Sequence, residues 1–167
     1  LRVRPLAQAA IRSLALQARH LSEHLEYHLR TNHLLANAQA LIFAGCYFGG
    51  EEGDGWRRTG RRILEDELPE QVLSDGGHVE RSPGYHALVL EGLLDVANVL
   101  EAYGYPVPDP VRGAVEPMLA WAECMTHPDG DVAQLNDTGL DQAPGAGEIL
   151  EYALPMKLMD DKQTREP

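Results

Sequence analysis

Apolar residues recur along this chain at helical spacing in one run after another, and no stretch gives a convincing period-two strand. That feature commits the fold to helices packed on helices, because each amphipathic helix must bury its apolar stripe against another element. Residues 5–30 form the first run, with Leu14, Leu21 and Leu25 among its apolar positions. Thr31-Asn32 interrupts it, and either residue offers a cap for a second helix reaching about Phe48. The cluster Gly49 to Gly55 reads as a turn. A third helix is expected from Trp56 to about Leu73, with Pro69 as a kink point. A fourth is expected from about Tyr85 to Tyr103. The Pro-rich connector 104–110 leads into a fifth ending near Thr126, with Pro117 weakening its middle. Residues 131–147 read as a long loop and 148–153 as a short sixth helix. The expected class is all-α, built of antiparallel helix hairpins over residues 1–159 with a polar tail over 160–167.

With 167 residues, 44% of them hydrophobic and 24% charged, the chain has the length and composition of one globular domain. Its longest apolar stretch, Leu34 to Phe48, is interrupted by Asn37 and Gln39 and is too short and polar for a membrane span. A formal net charge of −12 argues against nucleic acid as a partner, since phosphate contacts need clustered Lys and Arg. An acidic substrate would have to be held by a local constellation against this overall field. The sequence begins Leu1-Arg2-Val3-Arg4-Pro5 without an initiator Met or signal pattern, and reads as a piece of something longer. Cys46 and Cys124 lie singly in apolar helical runs without metal-ligand spacing, which predicts two buried thiols and no disulfide. Neither a metal nor any other cofactor is called for.

Chemistry concentrates in Asp75-Gly76-Gly77-His78-Val79-Glu80-Arg81-Ser82-Pro83-Gly84-Tyr85-His86. Gly76-Gly77 frees the backbone and Pro83 drives Ser82 out of the helical region, so regular structure begins only near Tyr85. Tyr85 therefore stands at the first turn of a helix beside a polar loop.

This segment resembles the most distinctive loop of the heparinase II/III-like polysaccharide lyases. Asn32-His33 followed by Leu34-Leu35-Ala36-Asn37-Ala38-Gln39-Ala40-Leu41 resembles a helix signature of the same family. Trp121 with His127-Pro128-Asp129-Gly130 and Asn136-Asp137 resembles a third shared region. The three occur in the family's order and span roughly Leu21 to Thr138. The resemblance implies an incomplete α/α toroid followed, in a full-length protein, by a C-terminal β-sandwich domain. It implies β-elimination on acidic polysaccharides containing uronic acid, with a bacterial periplasmic or secreted setting. Asn32 and His33 would then bind and neutralise the uronate carboxylate, and Tyr85 would be the proton-transfer residue. The sequence stops before the sandwich, which in the family contributes a further active-site histidine, so the 167 residues alone are expected to be inactive or nearly so.

The residues can be weighed without the resemblance. Removing a proton beside a carboxylate leaves an enolate-like dianion unless donors neutralise the carboxylate, and an Asn amide with a His N–H suits that task. A Tyr hydroxyl needs less help as the acid protonating a leaving oxygen than as a base near neutrality. The plainer readings are a helix cap beside a surface His, and an amphipathic Tyr at a helix start. Glu80 and Arg81 serve either as ion-paired loop supports or, for Arg81, as a contact to an acidic sugar. His78 and His86 are candidates for substrate contact or for support of the groups that make it. Trp121 and Asn136 complete the candidate sugar contacts, though large aromatics near helix ends, Trp56 and Trp121 alike, are more often packing anchors. His20, His24 and His28 recur every four residues and read as a solvated helix face. Arg57, Arg58, Arg61 and Arg62 precede Glu65-Asp66-Glu67 and suggest i,i+4 pairs on an exposed face. Two other functions compete. One is a glycoside hydrolase using carboxylates among Asp75, Glu80, Asp129 and Asp137. The other is a helical fragment that binds acidic glycan without cleaving it.

Overall fold

The computed structural model describes residues 3–156 and 158; the tail over 160–167 lies outside them. The chain is all-helical, 68% helix, and its described residues contain no strand. The helices are α1 Val3–Glu23, α2 Asn32–Phe48, α3 Gly50–Gln71, α4 Pro83–Ala102, α5 Asp109–Cys124 and α6 Ala146–Ala153. The chain divides into two compact units, residues 1–63 and 64–167, and α3 contributes residues to both.

In the first unit Ala18, Leu41 and Trp56 form a buried cluster, with Leu21, Leu25, Ala44 and Phe48 packed against it. Trp56 is thus a packing anchor, its ring edge-on to Phe48 at 6.0 Å. The turn expected over Gly49 to Gly55 is helical instead, and its glycines serve close packing. A Cβ on Gly45 of α2 would lie 2.5 Å from Gly53 O, and one on Gly60 would lie 2.5 Å from Ala38 O. These contacts pair α2 and α3 in antiparallel sense at a separation that larger residues would forbid. Chain reversal is confined to Gly49 and Gly50, at φ 61° and 66°. Arg19 of α1 grips Glu52 of α3 through two hydrogen bonds of 2.6 and 2.8 Å. Because α1 ends at Glu23, His24 and His28 both lie beyond the helix on which a histidine face was expected, although the His20 and His24 rings still stack at 4.1 Å.

In the second unit α4 packs on α5 and α6 through Leu90, Leu94, Leu100, Val111, Val115, Met118 and Ile149, all at most 2% exposed. Tyr152 of α6 donates to Asp95 of α4 at 2.8 Å. Pro69 and Pro117 are accommodated inside α3 and α5 without ending them. Cys46 is buried, and burial pushes its thiol pKa up. Cys124 was expected inside but is exposed, on the outward side of the last turn of α5.

Candidate active site

The first unit carries Asn32 and His33 in the opening turn of α2. Thr31 occupies the cap position but makes no side-chain capping bond. The approach to this turn is held by Asn37 instead. Its Oδ1 accepts from the Glu26 N–H at 3.0 Å, and its Nδ2 donates to Glu26 Oε2 at 2.9 Å. The same Glu26 oxygen stands 3.9 Å from His33 Nδ1, and the His33 side chain is 55% exposed. His33 is therefore accessible and has an anionic neighbour, while Asn32 is half-buried beside it. An open groove of about 910 Å³ in this unit is lined by Leu14, Leu21, Phe43, Tyr47 and Phe48 together with His20, His24 and Glu26. Asn32 and His33 do not line it, but Glu26, the acidic neighbour of His33, does.

The second unit carries the remaining candidates, and here the loop is held from every side. Val72 and His78 pair as an isolated antiparallel bridge, so 72–78 folds back on itself. Asp75 Oδ1 accepts from Gly77 N at 2.9 Å within that turn. Gly76 has φ 87°, and a Cβ there would come within 2.1 Å of Pro117 O. A Cβ on Gly77 would strike the Trp121 indole at 2.6 Å. Both glycines are thus required by the approach of α5, and Gly76 by its left-handed backbone as well.

Ser82 caps α4, with Pro83 in the first turn and the Tyr85 N–H directed at Ser82 Oγ at 3.5 Å. Thr138 Oγ1 accepts from Gly84 N at 2.9 Å and bonds Ser82 Oγ at 3.0 Å. Asn136 Nδ2 donates to Arg81 O at 2.6 Å, and both residues hold left-handed backbone at φ 53°. For Asn that conformation is tolerable; for Arg it is uncommon and marks a backbone held by its surroundings. Tyr85 emerges half-buried from this frame, with Arg81 and Asn136 exposed and Glu80 partly so.

His78 and His86 are both fully buried, so neither ring has surface with which to touch a ligand. His86 Nδ1 accepts from His78 N at 3.2 Å, and its Nε2 lies 2.9 Å from Met118 O. A backbone N–H can only donate and a carbonyl can only accept, so the partners select the neutral Nε2–H tautomer. Burial pushes the His86 pKa down to about 4, partly offset by the bond to Met118. Trp121, half-buried, leans on the His86 ring at a centroid distance of 4.4 Å. His78 Nε2 meets Gln71 Oε1 at 3.1 Å, and Gln71 Nε2 in turn donates to Glu67 at 3.0 Å. Among the described residues His78 Nδ1 is buried without a hydrogen-bond partner, and burial lowers this pKa too. No group of three or more metal-binding side chains lies close enough together, among the described residues, to hold a metal ion.

The sequence model of the heparinase II/III N-terminus family matches residues 6–153. The chain belongs to that family. A heparin-sulfate lyase of Bacteroides stercoris is 32% identical over 106 residues, 62% of this chain and 16% of the relative. FtsZ-localized protein C of Caulobacter vibrioides is 32% identical over 120 residues, 72% of this chain and 20% of the relative. A solved heparinase III gene product superposes with a TM-score of 0.70 at 27% identity, covering 88% of this chain and 23% of the other. The chain thus spans under a quarter of the length of each of these proteins, and its fold matches the helical toroid of heparinase III.

Within this heparinase II/III N-terminal chain, the support residues were the ones sequence inspection missed. Thr138, Gln71 and the Met118 carbonyl lie 56, 7 and 32 residues from the groups they bond. Thr138 directly follows Asn136-Asp137 of the third motif, and that adjacency was its only signal. Gln71 and Met118 sit in ordinary helical sequence and carried none.

Proposed function

We propose that this heparinase II/III-type chain supplies the helical part of a polysaccharide lyase that breaks uronic-acid-containing glycans by β-elimination. The observation that carries the reading is the family match over 6–153 together with the setting of Tyr85, a half-buried residue on a first helical turn fixed by Ser82, Thr138 and His86. In the elimination, a proton leaves the carbon beside the carboxylate, its electron pair forms the new C=C bond, and the glycosidic C–O bond breaks. The departing oxygen takes up a proton. Tyr85 is the proton-transfer residue, and Asn32 and His33 are the donors that neutralise the carboxylate as negative charge builds on it. Arg81 and Asn136, exposed on joined loops, are assigned to the acidic sugar, with Glu80 and Trp121 flanking them. Heparan sulfate is the first substrate to try, because the curated lyase relatives are heparin-sulfate lyases.

Digestion of heparan sulfate by the whole protein should raise the ultraviolet absorbance of an unsaturated uronate in step with new reducing ends. New reducing ends without that absorbance would mean hydrolysis. A second reading is a helical chain that binds acidic glycan without cleaving it. Saturable binding with neither product would support it.

A further inference from the structure

We propose that His86 is the positioning residue for Tyr85: its Nε2-protonated ring bolts the first turn of α4 to the 76–78 turn on one side and to α5 on the other. The inference rests on the reading of Tyr85 as the proton-transfer group. It goes beyond that reading by placing the control of the Tyr85 geometry in a neighbour with no surface of its own.

Three observations converge. His86 follows Tyr85 directly, so any rotation of the first turn moves both. Its two ring nitrogens take opposite roles, accepting from His78 N and donating to Met118 O. Trp121 covers the ring and also closes over Gly77, so the bolt and the turn share one lid. Protonation of His86 would set an N–H against the His78 N–H, and the other tautomer would lose both bonds. The ring's ionisable neighbours, His78 and Asp75, act in opposite directions, and burial outweighs both in keeping it neutral.

Amide side chains separate the two bonds. Asn carries an oxygen near the place of Nδ1, and Gln carries an NH₂ near the place of Nε2. His86→Leu in the whole protein, assayed on heparan sulfate, should lower kcat by about 10²-fold with KM little changed, the loss expected when a reacting group is misplaced by about 1 Å. His86→Asn and His86→Gln should each recover part of that loss. Val96→Ala, a buried α4 change away from the loop, should lower Tm and leave kcat intact below the unfolding range. A His86→Leu enzyme with normal kcat and only a lower Tm would overturn the proposal. So would a raised KM at unchanged kcat, which would make His86 a substrate contact. If the natural protein yields no unsaturated product, the lyase reading alone fails, and nitrogen NMR of the imidazole still decides this one. A neutral Nε2–H ring in the natural protein, with Tyr85 ring signals disturbed by His86→Leu but not by Val96→Ala, would uphold it. A Nδ1–H ring or an undisturbed Tyr85 would overturn it.

Discussion

Helix α2 and helix α4 each open on candidate site residues, and the two openings are secured in contrasting ways. At α2 the cap residue Thr31 makes no side-chain bond, and His33 stands in solvent 3.9 Å from Glu26. At α4 Ser82 caps, Pro83 presets the first turn, Thr138 bonds twice and His86 bonds twice, with buried groups throughout. The difference matches the demands of the proposed roles. A donor that meets a substrate carboxylate must be reachable and can adjust to it. A proton-transfer group works only within a narrow range of distance, so its backbone is over-determined.

The sharpest test of the contrast is Tyr85→Phe in the whole protein. It removes a hydroxyl and keeps the ring, so turnover should fall by about 10²–10⁴-fold while Tm holds. Near-normal turnover would assign proton transfer elsewhere. Next in size is the response to acid. His86 is held near pKa 4 in the fold against about 6.5 in the unfolded chain, so the unfolded state takes up the proton first as pH falls. The stability that His86 contributes is fully present above pH 6.5 and is lost progressively down to about pH 4, on the order of 3 kcal/mol for a shift of this size. His78 acts in the same direction. Denaturant titrations across this interval should show the loss, and His86→Gln should flatten it.

A smaller effect is expected from Thr138→Val, which keeps the shape but strips a bond from the buried Gly84 N–H, for about 1–3 kcal/mol in chemical denaturation. An unchanged midpoint would show that the α4 opening is less dependent on this loop than its hydrogen bonds indicate. Smallest is the stability effect of His33→Ala. An exposed side chain with one distant partner should change stability by no more than about 0.5 kcal/mol. The same change should still weaken turnover or binding of heparan sulfate. A large loss of stability would erase the distinction between the two helix openings.

Much of this was legible in the order of residues. The six helices answer to apolar periodicity and to Gly and Pro punctuation, and the irregular loop before Tyr85 follows from Gly76-Gly77 and Pro83. These are local effects, in which a residue and its near neighbours decide the backbone. Where glycine had two uses, local reading chose the wrong one. Gly53 and Gly55 were expected in a turn but lie in α3, and Gly53 and Gly60 instead lie where the α2 and α3 backbones meet. Cys124 faced outward for the same kind of reason, since the last turn of a helix does not announce which side will be covered.

The sequence by itself determined the helical class, the family and the cluster of polar residues around Tyr85. Only the tertiary structure decided which of those polar residues face solvent and which lock the others in place. His78 and His86 look as reactive in the sequence as His33, yet Met118 and Trp121 of α5 close over the first pair's surroundings while His33 stays open. Burial and hydrogen-bond partners drawn from distant parts of the chain set that division, and spacing along the sequence carries no record of them.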